Sequence, residues 1–237
     1  MLTKIYMNQS QSQLIQSFLK TSGDSGIGRS IFFTEILLDH HVSMVGITQD
    51  KNIVIKLIRA RTWHEHVKIF WKRSRTHTEF TGAKLLRSIG IDAPDVYEMG
   101  ISFPIPRHAK FIGYYLMENL AHTGYIPLSD LQFQLDKSQI TRLTHNIREA
   151  MERLYLHKVL YSDLHLDNIF CHPDSLKLKF IDTGAKKFIR HNIYRKKQKK
   201  AIWNLVRSIR TSEFSGTKLD EYCEELHSMA GQGFKNA

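Results

Sequence analysis

The spacing of apolar residues along the chain changes character near its middle. Three strand-like runs, SIFFTEIL, VSMVGIT and NIVIKLI, follow one another over residues 31–59, separated by the short polar turns Asp39-His40-His41 and Gln49-Asp50-Lys51. β-Branched and aromatic runs punctuated in this way predict an antiparallel meander. Residues 73–89, RSRTHTEFTGAKLLRSI, predict a helix instead, with Phe80, Leu85, Leu86 and Ile89 available for packing. Gly90 ends it, and Pro94 keeps it from resuming. Two further strands are predicted near 96–103 and at 111–117. From 138 to 157 the period is helical, placing Ile140, Leu143, Ile147, Met151 and Leu154 on one face. The same spacing recurs at Ile202, Leu205, Val206 and Ile209, just after the dense basic run Arg195–Lys200. A short helix is also predicted at 13–19, from Leu14, Ile15, Phe18 and Leu19. The pattern divides the chain into an N-terminal helix and turn (1–30), a lobe of five strands and one helix (31–119), and a helical lobe (120–237). That is an α+β arrangement of two lobes.

Composition narrows the picture. With 42% hydrophobic residues in 237, the chain can bury a sizeable core. Lysine and arginine exceed aspartate and glutamate by 11 charges. Such an excess draws a protein to anionic partners: nucleic acid, acidic lipid or a phosphorylated ligand. Cys171 and Cys223 stand alone, so neither a disulfide scaffold nor a zinc site is expected. The start, MLTKIYMNQSQSQ, lacks the apolar core of a signal peptide, and no apolar run reaches the ~18–20 residues of a membrane span. A cytoplasmic protein is expected, with contact to the inner-membrane surface open to it.

The stretch GDSGIGRS, residues 23–30, has the glycine spacing of a phosphate-binding loop, with Ser30 closing the motif and Arg29 in place of the lysine. Such a loop follows a buried strand and opens a helix. Here a predicted helix precedes the glycines and a strand follows them, so the order is reversed. The segment is read as a lead into the first strand.

The chemistry lies further on, in YSDLHLDNIF at 161–170. Asn168 follows Asp163 by five residues, and Asp182 follows in KFIDTG, fourteen residues after Asn168. In protein-kinase-like enzymes one Asp receives the acceptor hydroxyl's proton, while an Asn and a second Asp hold Mg²⁺ on the ATP phosphates. Hard oxygen donors suit that ion. Three more pieces fall in order: Lys56 inside the third strand, Glu79 on the following helix, and the strand end LMENL at 116–120. Lys56 matches the phosphate-binding lysine and Glu79 its partner. Backbone groups of Glu118 and Leu120 match the hinge that meets adenine. Taken singly, each has a plainer reading: Lys56 as a snorkelling side chain, Glu79 as a solvated one, Asp182 as a turn cap, His157 and His165 as structural. Their joint order carries the assignment. In this lobe the phosphate-covering turn is the hairpin Leu38–Val42, which contains no glycine.

These motifs resemble those of the bacterial lipopolysaccharide core kinases, which phosphorylate heptose or Kdo. The resemblance covers roughly 31–210 and rests on VIKLI, RSRTHTEF with LLRSIGI, YYLMENL, YSDLHLDN and FIDTGAKK. It implies a bilobal protein-kinase-like fold with a reduced helical C-terminal lobe, ATP and Mg²⁺ as cofactors, and a lipopolysaccharide or lipid-linked sugar acceptor. Asp163 takes the catalytic role, Asn168 and Asp182 the metal, and Lys56, Glu79, Glu118 and Leu120 the nucleotide. D-L-H-x-x-N also occurs in aminoglycoside and choline kinases, and a similar loop in RIO-type kinases. An atypical kinase acting on a protein or a small-molecule hydroxyl is therefore the alternative. A pseudokinase is disfavoured, because every one of these residues is present. YSD replaces H-R-D and DTG replaces D-F-G, and only 53 residues remain after Gly184. Those departures point to a small or carbohydrate acceptor and away from a regulated activation loop. The basic run Arg195–Lys200 is the segment expected to meet lipid head groups; nucleic acid is not the expected partner.

Overall fold

The computed structural model describes residues 2–4, 33–49, 51–59, 62, 64–65, 68, 74–102, 111–131 and 135–232. The predicted helix at 13–19 and the glycine-rich stretch 23–30 lie outside them. The chain forms two compact units, one comprising Met1–Phe80 and Pro94–His122, the other Thr81–Ala93 and Thr123–Ala237.

The first unit is built on one antiparallel sheet. Its strands are β1 (Leu2–Lys4), β2 (Phe33–His40), β3 (Ser43–Thr48), β4 (Ile53–Arg59), β5 (Val96–Ser102) and β6 (Phe111–Glu118), in the order β1-β5-β6-β4-β3-β2. Five are the strands read from the sequence. The sixth, β1, pairs with β5 at one edge through Leu2↔Ser102 to Lys4↔Gly100. Three residues are too short a run to show a period, which is why the sequence concealed it. β4 is interior and buried along nearly its whole length. Its alternation sorts two cores: Ile53, Ile55 and Leu57 pack with Phe33, Met44, Tyr114 and Leu116, while Ile58 packs with Phe80, Met99 and Tyr115. Phe80 belongs to helix α1 (Arg75–Ser88), so that helix covers the even-numbered face of β4. β2 is the opposite edge. It carries two register shifts and leaves Ile36, Leu37 and Leu38 exposed.

The second unit is mostly helical. After the short elements β7 (Ile126–Pro127) and α2 (Leu128–Leu131) comes α3 (Lys137–Leu156), the helix predicted at 138–157. A capping box starts it: Asp136 Oδ1 accepts from the Gln139 N–H at 2.8 Å, and Gln139 Oε1 accepts from the Asp136 N–H at 2.9 Å. The Gln139 N–H bond, the largest cause, lowers the Asp136 carboxyl pKa below its ordinary value. Leu143, Ile147, Met151 and Leu154 are buried, as their spacing implied. Then follow β8 (Val159–Leu160), a 3-10 turn at Leu166–Asn168, and the strands β9 (Ile169–Cys171), β10 (Leu178–Phe180) and β11 (Lys186–Lys187). Two helices close the chain, α4 (His191–Arg210) and α5 (Lys218–Gln232).

α4 corrects one expectation. The basic run Arg195–Lys200, read as a segment preceding a helix, lies inside it. Tyr194, Gln198, Ala201, Ile202, Leu205, Val206 and Ile209 are buried, while Lys196, Lys197, Lys199, Lys200 and Arg207 point outward. Lysine is a good helix former, and nothing in the run breaks the backbone pattern. Trp203 is half-exposed, between the His227 ring and the Arg210 guanidinium.

Candidate functional site

Lys56 sits on the even-numbered face of β4, opposite Val45 on one side and Tyr115 on the other. It is 6% exposed among apolar neighbours. A buried ammonium needs a partner. Glu79, one residue before the core Phe80 on α1, supplies it: Lys56 Nζ lies 3.9 Å from Glu79 Oε1, with Tyr115's ring 5.8 Å from the same nitrogen. The packing of Phe80 against the even-numbered face of β4 brings Glu79 to Lys56.

The strand end at 116–120 is tethered to the turn before β4. Asn119 N–H donates to the Asn52 carbonyl at 2.9 Å, and Asn119 Nδ2 to the Lys51 carbonyl at 2.7 Å. Glu118 N–H donates to the Asp95 carbonyl at 2.8 Å. With its N–H so used, the Glu118 backbone could meet an adenine only by accepting at its carbonyl oxygen. Leu120 is buried beside it.

The hairpin joining β2 and β3 turns at His41 and Val42. Its carbonyls are gripped by guanidinium groups. The Arg59 guanidinium bonds His40 O and pairs with Asp39 at 2.7 Å, the Arg75 guanidinium reaches Val42 O at 3.4 Å, and the Arg59 backbone N–H donates to Val42 O at 3.0 Å. This turn is held by tethers and lacks the freedom that glycine gives a phosphate-covering loop.

In the second unit, Asp163 and Asn168 meet through the 3-10 turn. Asn168 is 6% exposed, and its Nδ2 donates to the Asp163 carbonyl at 2.9 Å. The Asn168 carbonyl in turn accepts from Ile181 N–H at 3.0 Å, which brings the chain just before Asp182 alongside. Tyr161, fully buried, directs its hydroxyl at the carbonyls of Ile181 and Asn168. Asp182 has φ 50°, a left-handed conformation that a non-glycine residue adopts at a cost of about 1–3 kcal/mol. The 2.7 Å bond from Gly184 N–H to the Asp182 carbonyl closes the turn behind it. The Asp163 carboxylate is well exposed.

The donors suit Mg²⁺. Among the described residues no three His, Cys, Asp or Glu side chains gather into a cage. Mg²⁺ is ordinarily held by one or two protein oxygens together with phosphates, and needs no such cage. Asn168 Nδ2 is committed to hydrogen bonds, and no described residue donates to Oδ1. Asn168 Oδ1 and the Asp182 carboxylate are oxygens of the type that could hold such an ion.

Gly82 is a feature that sequence reading passed over. A Cβ there would lie 1.5 Å from the carbonyl oxygen of Thr183, inside the Asp182–Gly184 turn. In a helix interior alanine normally outranks glycine by about 1 kcal/mol. Here Gly82→Ala is expected to destabilise by about 1–3 kcal/mol, because backbone must move on both sides. A thermal melt checks it; a raised melting temperature would mean that α1 and the turn are not in contact. The cysteines add no chemistry. Both are buried, and burial pushes their thiols up to about 12. Nor does a cavity of about 230 Å³ lined by Gly90, Asn146, Glu149, Arg153 and Phe180 include any candidate residue.

No protein-family model matches the chain, and no curated protein does. Solved structures do. WaaP in complex with acyl carrier protein matches with a TM-score of 0.56 at 12% identity, over 96% of this chain and 99% of that one. The chain has the fold of WaaP. The match runs through both the sheet of the first unit and the helices of the second. At this identity WaaP and this chain share an architecture, and the site residues must be argued from the geometry above.

Proposed function

We propose that the chain is an ATP- and Mg²⁺-dependent kinase of bilobal protein-kinase-like fold that phosphorylates a sugar, heptose or Kdo, of the lipopolysaccharide inner core. The observation that carries this is the Asp163–Asn168–Asp182 arrangement. An exposed carboxylate stands next to an amide whose NH₂ is spent on the Asp163 carbonyl and the His165 ring, and an aspartate follows in a left-handed turn. The WaaP fold and the resemblance to the core kinases support the same reading.

In this reading Asp163 orients the acceptor hydroxyl and takes its proton as the oxygen bonds the γ-phosphorus and the bond to ADP breaks. Lys56, fixed by Glu79, binds phosphate oxygens, and the 118–120 backbone seats the base. Bound Mg²⁺ supplies neutralisation of the phosphate charge. The deciding experiment incubates the purified protein with γ-labelled ATP and lipopolysaccharide lacking core phosphate. One phosphate on a core sugar is expected. Label found only on protein would replace this reading with that of an atypical protein kinase.

The acceptor side is assigned to the outward face of α4. Lys196, Lys199 and Lys200 form no ion pair with a described residue, and Lys186, Lys187 and Arg190 are also exposed. Ile189 is 95% exposed among them, and Ile193 is also exposed. Apolar side chains amid cations fit the surface of an anionic bilayer, where each basic residue is worth about 1 kcal/mol. No helix among the described residues is long and apolar enough to cross a membrane, so the contact would be peripheral. Changing Lys196, Lys197, Lys199 and Lys200 to glutamine should raise KM for lipopolysaccharide at least ~10-fold at low salt. The effect should shrink at physiological salt, where screening acts within ~8 Å. KM for ATP should not move. Equal KM for the acceptor at every salt concentration would show a merely solvated face.

A further inference from the structure

We infer that His165 and Asp167 are positioning residues, holding the Asn168 amide with its oxygen toward the metal; this rests on the kinase reading above. His165 was expected to be structural, and its ring lies among three functional groups. Nε2 is 2.9 Å from Asn168 Nδ2 and 3.5 Å from Asp163 Oδ1, while Nδ1 is 3.3 Å from Asp167 Oδ2.

The protons can be placed by elimination. The Asn168 atom 2.9 Å from the Asp163 carbonyl must be nitrogen, because two oxygens at that distance would repel. An amide NH₂ only donates. The same nitrogen lies 2.9 Å from His165 Nε2, so Nε2 must accept and carries no proton. The ring hydrogen of the neutral imidazole is then on Nδ1, the side on which the Asp167 carboxylate lies 3.3 Å away, an electrostatic contact. At 3.5 Å the Asp163 carboxylate is too far to compete for Nε2.

Both hydrogens of the Asn168 amide are thereby used, one on the Asp163 backbone and one on His165. Rotating the amide would break both bonds, and Oδ1 is left as the one atom that can face a cation. The negative charge of Asp167 beside Nδ1 favours the tautomer on which this depends. The arrangement parallels the outer partners of metal-ligating histidines, whose loss typically costs about 10–100-fold in metal affinity.

The test reads Mn²⁺ affinity of the full-length protein with ADP, by the loss of the free-ion electron paramagnetic resonance signal. His165→Asn lacks an acceptor at the Nε2 position and should bind Mn²⁺ at least ~10-fold more weakly. His165→Gln places an amide oxygen near Nε2 and should stay close to the parent. Asp167→Ala, which frees the tautomer, should fall between them. Asn168→Ala is the control and should be weakest. Parental affinity in His165→Asn beside a weak Asn168→Ala overturns this inference alone, as does a His165→Gln as weak as His165→Asn. Parental affinity in Asn168→Ala overturns the inference together with the metal assignment beneath it. His165 is partly exposed and Asp167 well exposed, so the three variants at these positions are expected to fold, and circular dichroism melts check these and the buried Asn168→Ala.

Discussion

Asp163→Asn is expected to lower kcat for phosphoryl transfer by ~10²–10⁴-fold, the range that general-base groups contribute. ATP affinity should survive. The substitution keeps the side chain's size, and the contact that ties the loop together uses the Asp163 backbone carbonyl, which asparagine retains. What is lost is the carboxylate, exposed to solvent and thus reachable by an acceptor hydroxyl. Single-turnover rates with saturating nucleotide, alongside nucleotide titrations, separate the two quantities. Near-normal turnover would remove Asp163 from its role. A matched loss of nucleotide affinity would place it on the metal instead.

Asp182→Ala is expected to behave differently. It removes one of two proposed protein oxygens for Mg²⁺, so Mg²⁺-dependent nucleotide affinity should fall by more than ~100-fold, beyond what an outer-shell change costs. The left-handed backbone at φ 50° complicates the choice of variant, since alanine is no more at ease there than aspartate. Asp182→Asn keeps an oxygen and a residue type that tolerates this conformation, and should lose less than the alanine variant. Calorimetric titration of ATP with and without Mg²⁺ checks both. Unchanged Mg²⁺ dependence in Asp182→Ala would show that the residue only caps its turn. A loss that is equal without Mg²⁺ would show a folding defect.

The helix 137–156 and the core strands 43–48 and 53–59 were legible because their periods are long and uninterrupted, and burial followed period closely at Leu143, Ile147 and Leu154. The α5 helix and the edge strand at Leu2–Lys4 were not. The first has a pattern diluted by four acids in its fifteen residues, and the second is too short to have a period at all. The helical state of the basic run was not legible, because its buried face is formed by Tyr194, Gln198 and Ala201, of which one is polar and one small, so the run shows little apolar period.

By itself the sequence determined which residue types were available and in what order: a lysine in a buried strand, an acid on the next helix, and D-L-H-L-D-N before D-T-G. Order and type are local properties of a chain. Tertiary structure decided everything that depends on approach. It set Lys56 3.9 Å from Glu79, and it required glycine at 82 because the Thr183 backbone comes so near. It also turned His165 from a bystander into the acceptor for Asn168. Such relations join groups whose separation in space no spacing along the chain prescribes. Hydrogen bonds and steric contact act over a few ångströms, so they form only after packing has brought the segments together.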